Sequence, residues 1–369
     1  MDMKSAKVLI CTGLILALLP GICLADGPLM EELGSRAAKL AMDQLNFEKG
    51  DTNILALTTA GYAIAGGQTT ERCVKGLTEV SGCSIGDGNL FTILRPHWKP
   101  LWFYFFDKNS GEAVYIQVDA TAFDKSLEEL TAASDDEIFS INSQANVDLD
   151  YMLNNTEEGD KTFNEKLFAG NEFSVVGFSN VWASPNSSFD FLQATAFHDH
   201  LCPGVTSGYM LAKFMENALP INDISAESYK VIACPNWCKD DALQVLWDAT
   251  PGKSSMFVMA LTDTEKSALN AKYNQSDVAG IYVRWNDTAK KGDAMVLTFN
   301  WTKSGELTGT NNWEGPSWGS KLVSDVRLMD YWNTPELFVS VIKEFDVDSA
   351  KLAQLQNAGM HPLKVAGVL

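Results

Sequence analysis

The 369 residues are enough for two domains, or for one domain with a large addition. Hydrophobic residues make up 46% and charged residues 20%, the balance of a globular protein with ample core. Asp and Glu outnumber Lys and Arg by 47 to 28, a formal charge of −19, which argues against a basic surface for nucleic acid or anionic membrane.

Residues 1–25 read as an export signal. Lys4 and Lys7 precede an apolar run, and Cys23-Leu24-Ala25 puts small residues ahead of a cut before Asp26. An uncleaved anchor is the alternative, since the run is about long enough for a short span. The Pro20-Gly21 break and the cleavage site favour removal, so the expected location is exported, with no stable membrane span afterwards. Removing Cys11 and Cys23 leaves Cys73, Cys83, Cys202, Cys234 and Cys238. That set is sparse and odd for a disulfide scaffold, so at least one is a thiol, a metal ligand or paired outside the chain.

The mature chain opens with a helix over 28–47, carrying Leu33, Ala37, Leu40, Ala41 and Leu45 at helical spacing. A buried strand (54–60), a Gly/Thr-rich loop (61–70) and a short helix with Cys73 (71–82) follow. Strands are expected at 90–95, 101–107 and 113–119, and the acidic 121–170 as helices and exposed loop. FSVVGFS at 173–179 reads as another strand, and 184–190 as a turn-rich link.

Next comes AFHDHLCPG, 196–204, read as extended chain turning at Pro203-Gly204. In a strand, side chains two apart share a face, so His198, His200 and Cys202 would point together. Such nitrogen and sulfur donors suit zinc or a related metal. After Pro203 a helix begins; then strand 228–234, helix 236–247, strand 254–262, helix 263–272 and strands 278–285 and 294–300. An aromatic, glycine-rich loop (309–319) precedes helices at 323–344 and 347–357, with His361 in the tail.

The halves repeat. Gly34, Lys39 and Leu45 align with Gly208, Lys213 and Leu219, and RCVKGLTEV aligns with WCKDDALQV, setting Cys73 against Cys238. Both halves run helix, strand, helix, strand and further strands. That order predicts an α+β fold of mixed α/β layers from tandem duplicated units, their mixed sheets packed with helices. The expected boundaries are 1–25, 26–180, 181–305, and a helical extension over 306–369. Only the second half carries H-x-H-x-C, so one half is active and the other structural, or the site is composite at their junction.

Cys234 and Cys238 are the best companions for the opening motif. Pro235 biases Cys234 towards extended chain and suits the start of the next helix, whose N-terminus favours a thiolate at Cys238. Five donors are then available, His198, His200, Cys202, Cys234 and Cys238, and tetrahedral zinc needs four at most. If three bind, water takes the open position, which permits hydrolytic or lyase chemistry. Asp199 or Asp241 would orient an imidazole from behind. Cys234 and Cys238 would alternatively form a disulfide in a thiol redox protein. PGKSS at 251–255 lacks the first glycine of a phosphate loop, Trp247 standing there.

These residues carry a family resemblance. FHDHLCPGVTSGYMLA resembles the H-G-H-x-CPG-x3-G opening of the FmdE family, which takes its name from a component of formylmethanofuran dehydrogenase, and CKDDALQVLWDATPGKS resembles the later segment of that family. The resemblance covers about 197–256 and continues through the strands to 300. His198, His200 and Cys202 match the first motif; Cys238, Asp241, Ala242, Gln244, Thr250, Gly252 and Lys253 match the second. It implies an α+β metal-binding domain with His198, His200, Cys202 and Cys238 as ligands and Cys234 as the alternate. The family name implies association with a molybdenum or tungsten dehydrogenase, from which an export signal would separate this chain. Asp199 replaces the motif's middle glycine, and Ala249 a frequent cysteine; the first half keeps that cysteine as Cys83 in SGCSIGDGNL. No cysteine follows Cys238, so the zinc-ribbon tail of some relatives is absent.

The functional expectation is an exported metal-binding protein, with zinc as the ion and nickel or copper as alternatives. A small molecule in the adjacent cleft and a second copy of the chain are the other partners considered. The competing readings are a metal-dependent enzyme using metal-bound water and the thiol redox protein.

Overall fold

The computed structural model describes residues 27–274 and 277–369; the export-signal reading of 1–25 lies outside the described residues. The first half begins with helix α1 (Gly27–Leu45), which buries Leu29, Leu33, Ala37 and Ala41 on one face. Strand β1 (Ile54–Thr58) and a two-residue hairpin, β2 (Ile64–Ala65) with β3 (Gln68–Thr69), lead to α2 (Arg72–Ser81). Gly82 ends α2 at φ +79°, a left-handed cap that glycine adopts without a Cβ clash. Strands β4 (Leu90–Thr92), β5 (Trp102–Asp107) and β6 (Glu112–Val118) follow, then the short helices α3 (Leu127–Ala132) and α4 (Asp135–Ile138), and β7 (Phe139–Asn146).

Four helices form the middle of the chain: α5 (Leu149–Asn154), α6 (Thr156–Asn164), α7 (Glu172–Ala183) and α8 (Phe189–Phe197). The second half runs α9 (Pro203–Ala218), β8 (Glu227–Ala233), α10 (Lys239–Trp247), β9 (Met256–Val258) and α11 (Asp263–Lys272). It continues with β10 (Asp277–Asn286), β11 (Lys291–Phe299), α12 (Trp301–Thr308), α13 (Ser317–Arg327), β12 (Val339–Asp348), α14 (Ser349–Leu355) and α15 (Pro362–Val365).

The strands make two five-stranded sheets, β4-β1-β5-β6-β7 and β9-β8-β10-β11-β12. In each, one pair is parallel, β1 with β4 and β8 with β9, and the other neighbours are antiparallel. A parallel pair needs a crossover, supplied by the segment containing α2 in one half and by that containing α10 in the other. The fold is therefore mixed α/β with two similarly built sheets, a hint of internal duplication.

Both sheets are covered on both faces, which is why β1 and most of β5 are continuously apolar. The first sheet packs Ile54, Ala56, Phe103 and Phe105 against α1 and α2. Its other face, with Leu57, Tyr104 and Tyr115, meets Val175, Phe178 and Phe191 of α7 and α8. The second sheet packs Val231, Ala233 and Tyr282 against Met210, Leu211 and Leu243 of α9 and α10, while Ile232, Ile281 and Val283 face Leu269, Leu352 and Leu363.

Several expected elements differ. Residues 173–179 form part of α7, an apolar helix buried on most sides, where a strand and a buried helix look alike by pattern. The motif at 196–204 is not a strand but the junction of α8 and α9. The acidic 121–170 includes strand β7, half-exposed at the sheet edge. The helix expected over 323–344 stops at Arg327, and β12 begins at Val339, its Val339, Val341, Phe345 and Val347 recurring at the even spacing of a strand.

Candidate metal centre

The site lies in the helical layer between the sheets, where α8 ends, α9 begins and α10 and α13 pack alongside. His198 caps the C-terminus of α8, Asp199 turns the chain at φ +79°, and Cys202 is the extended residue that caps α9 ahead of Pro203. Leu201 is wholly buried between them. Gly177 of α7 leaves it room, since a Cβ there would sit 3.2 Å from the Leu201 Cβ. The turn, rather than strand alternation, brings the donor atoms of His198, His200 and Cys202 within 4.8 Å of one another. The two imidazole centroids are 4.7 Å apart.

Cys238 stands just before α10, a helix that starts three residues later than expected and leaves Pro235 in the preceding loop. Its sulfur lies beside Cys202 and His198, interacting with both. Gly204 keeps a space between the sulfurs: a Cβ there would fall 3.2 Å from the Cys238 Sγ and 3.4 Å from the Cys202 Sγ. Cys234, the alternate ligand, is directed elsewhere. Alternation along β8 puts Ile232 and Cys234 in the outer apolar cluster with Leu261 and Leu269, where burial pushes its thiol up to about 12. Cys234 and Cys238 are free thiols.

The two aspartates divide their work. Asp241 meets the His198 Nδ1 at 2.6 Å and also accepts from the Gln244 Nε2 at 3.0 Å, so it is the group that orients an imidazole. Asp199 does not; it forms an ion pair with Arg95 at 2.5 Å.

Three further residues at the site, Arg95, Lys321 and Asp325, carried no motif. Arg95 comes from the first half, just past β4. Asp325 on α13 is wholly buried, and neither of its carboxyl oxygens has a hydrogen-bond partner. Burial, with the nearby Cys238 charge, holds that carboxyl well above the usual range, against the opposing pull of Lys321. A signal for Asp325 did exist: Trp318, Leu322, Asp325 and Met329 share one helical stripe in which the only acid is Asp325.

Electrostatics spread the protons unevenly. Burial opposes a charge on His198, but its bond to Asp241 and the nearness of the Cys238 sulfur prevail and carry it up to about 9. Burial, followed by repulsion from His198 and Lys321, takes His200 down to about 4. Hydrogen bonds with Cys202 and His198 draw Cys238 down to about 4 despite its burial. The bond to Cys238, then burial, pushes the Cys202 thiol the other way. Without an ion these interactions favour charge on His198 and Cys238 and the neutral forms of His200 and Cys202.

The donors fit a transition metal. Two imidazoles and the Cys202 sulfur are a borderline-to-soft set, Cys238 standing outside that close group. The His198 Nε2, opposite the nitrogen bound by Asp241, is buried without a hydrogen bond among the described residues. An orphaned buried nitrogen is costly unless something outside the chain meets it.

A mixed α/β fold with a His/His/Cys cluster between two similar sheets defines a class, that of a candidate metal-binding protein. Residues 197–325 match the model of the FmdE family, described as "FmdE, Molybdenum formylmethanofuran dehydrogenase operon". The matched part is similar to that family; it holds the whole candidate centre except Arg95. No curated protein matches the chain. Among the described residues, no helix is long and apolar enough to cross a membrane.

Proposed function

We propose that the protein is an exported metal-binding protein similar to the FmdE family, holding zinc through His198, His200, Cys202 and Cys238. Asp241 fixes the ring of His198, and Gly204 leaves the space between the sulfurs. The observation that carries this reading is the convergence of three donor atoms within 4.8 Å around a buried imidazole nitrogen that has no partner in the protein. A soft thiolate pair with two imidazoles favours zinc over harder ions; nickel and copper share the donor preference. Export rests on Lys4, Lys7 and the apolar run before Asp26. On this reading the units are 26–180, a degenerate copy, and 181–305, the metal-binding copy, followed by 306–369, from which β12 completes the second sheet.

The second reading, an enzyme acting on a small molecule beside the ion, is favoured by one observation. Asp325 is a buried carboxyl near Cys202 and Cys238, and neither of its oxygens has a hydrogen-bond partner among the described residues. When bound, an ion would supply Lewis acidity to such a molecule. Metal analysis of the protein purified without chelator tests the main reading. A stoichiometric ion is expected, lost in His200→Ala and in Cys238→Ala; a metal-free wild type, or unchanged stoichiometry in both variants, would refute it.

A further inference from the structure

The turn between the two histidines is held from outside. Asp199 adopts φ +79°, a left-handed conformation disfavoured for any residue with a Cβ and open to glycine. No carboxylate bond within the turn explains why an aspartate stays there. The partner is Arg95, whose Nε lies 2.5 Å from the Asp199 Oδ1, with Ser174 Oγ donating to the same oxygen at 3.5 Å.

Arg95 is itself anchored to the first half and to α7. Its Nη2 donates to the Asn171 Oδ1 at 2.7 Å and to the Ser174 Oγ at 3.0 Å. Asn171 is fixed in turn, its Nδ2 donating to the Tyr115 hydroxyl of β6 and to the Phe168 carbonyl, each at 3.0 Å. One residue before Arg95, the Leu94 amide donates to the Ala196 carbonyl in the last turn of α8 at 3.0 Å. Hydrogen bonds therefore run from the first sheet to Arg95 and Ser174. The last link, to the residue between the two imidazoles, is the Arg95–Asp199 ion pair, in which the Arg95 Nε makes no hydrogen bond, beside the weak Ser174 contact. Relaxing Asp199 to an extended φ would swing His200 away from His198, because the following residue inherits the change in chain direction.

We propose that Arg95 is a positioning residue of the metal centre: the first half clamps Asp199 in the left-handed turn that aims His198 and His200 at one point. The proposal rests on the metal-binding reading above. It gives the half without H-x-H-x-C a part in the site, replacing the freedom of a glycine by an arginine clamp.

The test is Co2+ binding to the full chain, read from the ligand-field and sulfur charge-transfer bands and from competition with a chelator. Arg95→Ala should weaken Co2+ affinity by about tenfold or more and alter the ligand-field bands, and Arg95→Lys should do so less. The double variant R95A/D199G should regain most of the affinity and the wild-type spectrum, because glycine takes the turn unaided. Should R95A not fold, R95K with and without D199G makes the same comparison. Unchanged Co2+ affinity and spectrum in R95A and R95K would overturn the clamp alone. So would a loss that Asp199→Gly does not repair, since Arg95 would then act through general packing. A wild type that binds no Co2+ would overturn the metal reading and the clamp with it.

Discussion

The helix pairs of the two halves are joined by the same device and carry opposite thiols. In the first, Gly34 of α1 lies against α2 so closely that a Cβ would fall 2.0 Å from the Cys73 carbonyl oxygen. In the second, Gly208 of α9 lies against α10, where a Cβ would fall 2.4 Å from the Lys239 carbonyl. Yet Cys73 is wholly buried, its sulfur 3.9 Å from the Met30 sulfur, and burial drives that thiol far up. Cys238, its counterpart in sequence alignment, is drawn down to about 4 by Cys202 and His198. Both cysteines stand at the start of a helix, so helix position is not what separates them. The surroundings are: apolar burial in one case, a thiol and an imidazole in the other.

The largest expected difference is in reactivity. In the metal-free protein at pH 6, iodoacetamide should alkylate Cys238 at least about a hundredfold faster than Cys73, as read by peptide mass spectrometry. The Cys238 rate should stay flat from pH 6 to 8, because a thiol drawn down to about 4 is already almost wholly thiolate by pH 6, whereas an ordinary thiol gains nearly tenfold per pH unit there. Equal labelling of the two would remove the contrast.

Next in size is the close approach itself. Gly34→Ala and Gly208→Ala each push a methyl into a backbone carbonyl, and overpacking of this kind costs about 1–3 kcal/mol or more, measured by urea denaturation. The comparison sharpens in metal affinity, which Gly208→Ala should lower by displacing Cys238 and Gly34→Ala should leave alone.

The smallest effect is on pH dependence. Cys238 is depressed from 9.0 to about 4, so its contribution to stability grows from pH 4 towards 9. His198 is raised from 6.5 to about 9, so its contribution is complete below 6.5 and is lost as pH rises to 9. His200, lowered from 6.5 to about 4, adds stability as pH rises between those values. The sum of the three therefore rises from pH 4 to 6.5 and is level from 6.5 to 9, by about 1–2 kcal/mol once partial exposure is allowed for. Urea midpoints in chelator should follow this profile in wild type and Cys73→Ser, and lose part of the rise in Cys238→Ser. An identical profile in Cys238→Ser would sink the assignment.

Much of this contrast is readable from residues. The alignment of Gly34 with Gly208 and of Cys73 with Cys238 foreshadows the matching helix pairs, and H-x-H-x-C marks the cluster although its geometry is a turn. What local pattern does not supply comes from tertiary packing. Apolar FSVVGFS is a buried helix because sheet and helices enclose it on most sides. Asp199 and Asp241 are equivalent by sequence; α10 brings one to His198, and Arg95 captures the other. Cys234 is separable in principle, since it follows Ile232 by two positions and shares its buried face of the sheet, away from α9 and α10, a period-two relation masked by the tempting pair with Cys238. Arg95 has no local mark at all: its partner is more than a hundred residues away.

One apolar cluster runs without a break from Leu57 and Tyr104 of the first sheet through Phe178 and Phe191 to Leu201, Cys202, Tyr209 and Leu322. The centre is thus embedded in an oil layer owned by neither sheet. Separating the chain at the 184–188 link would leave each fragment with a bare face of the kind that drives aggregation. Deleting the half without H-x-H-x-C would remove not an appendage but a wall of the candidate centre.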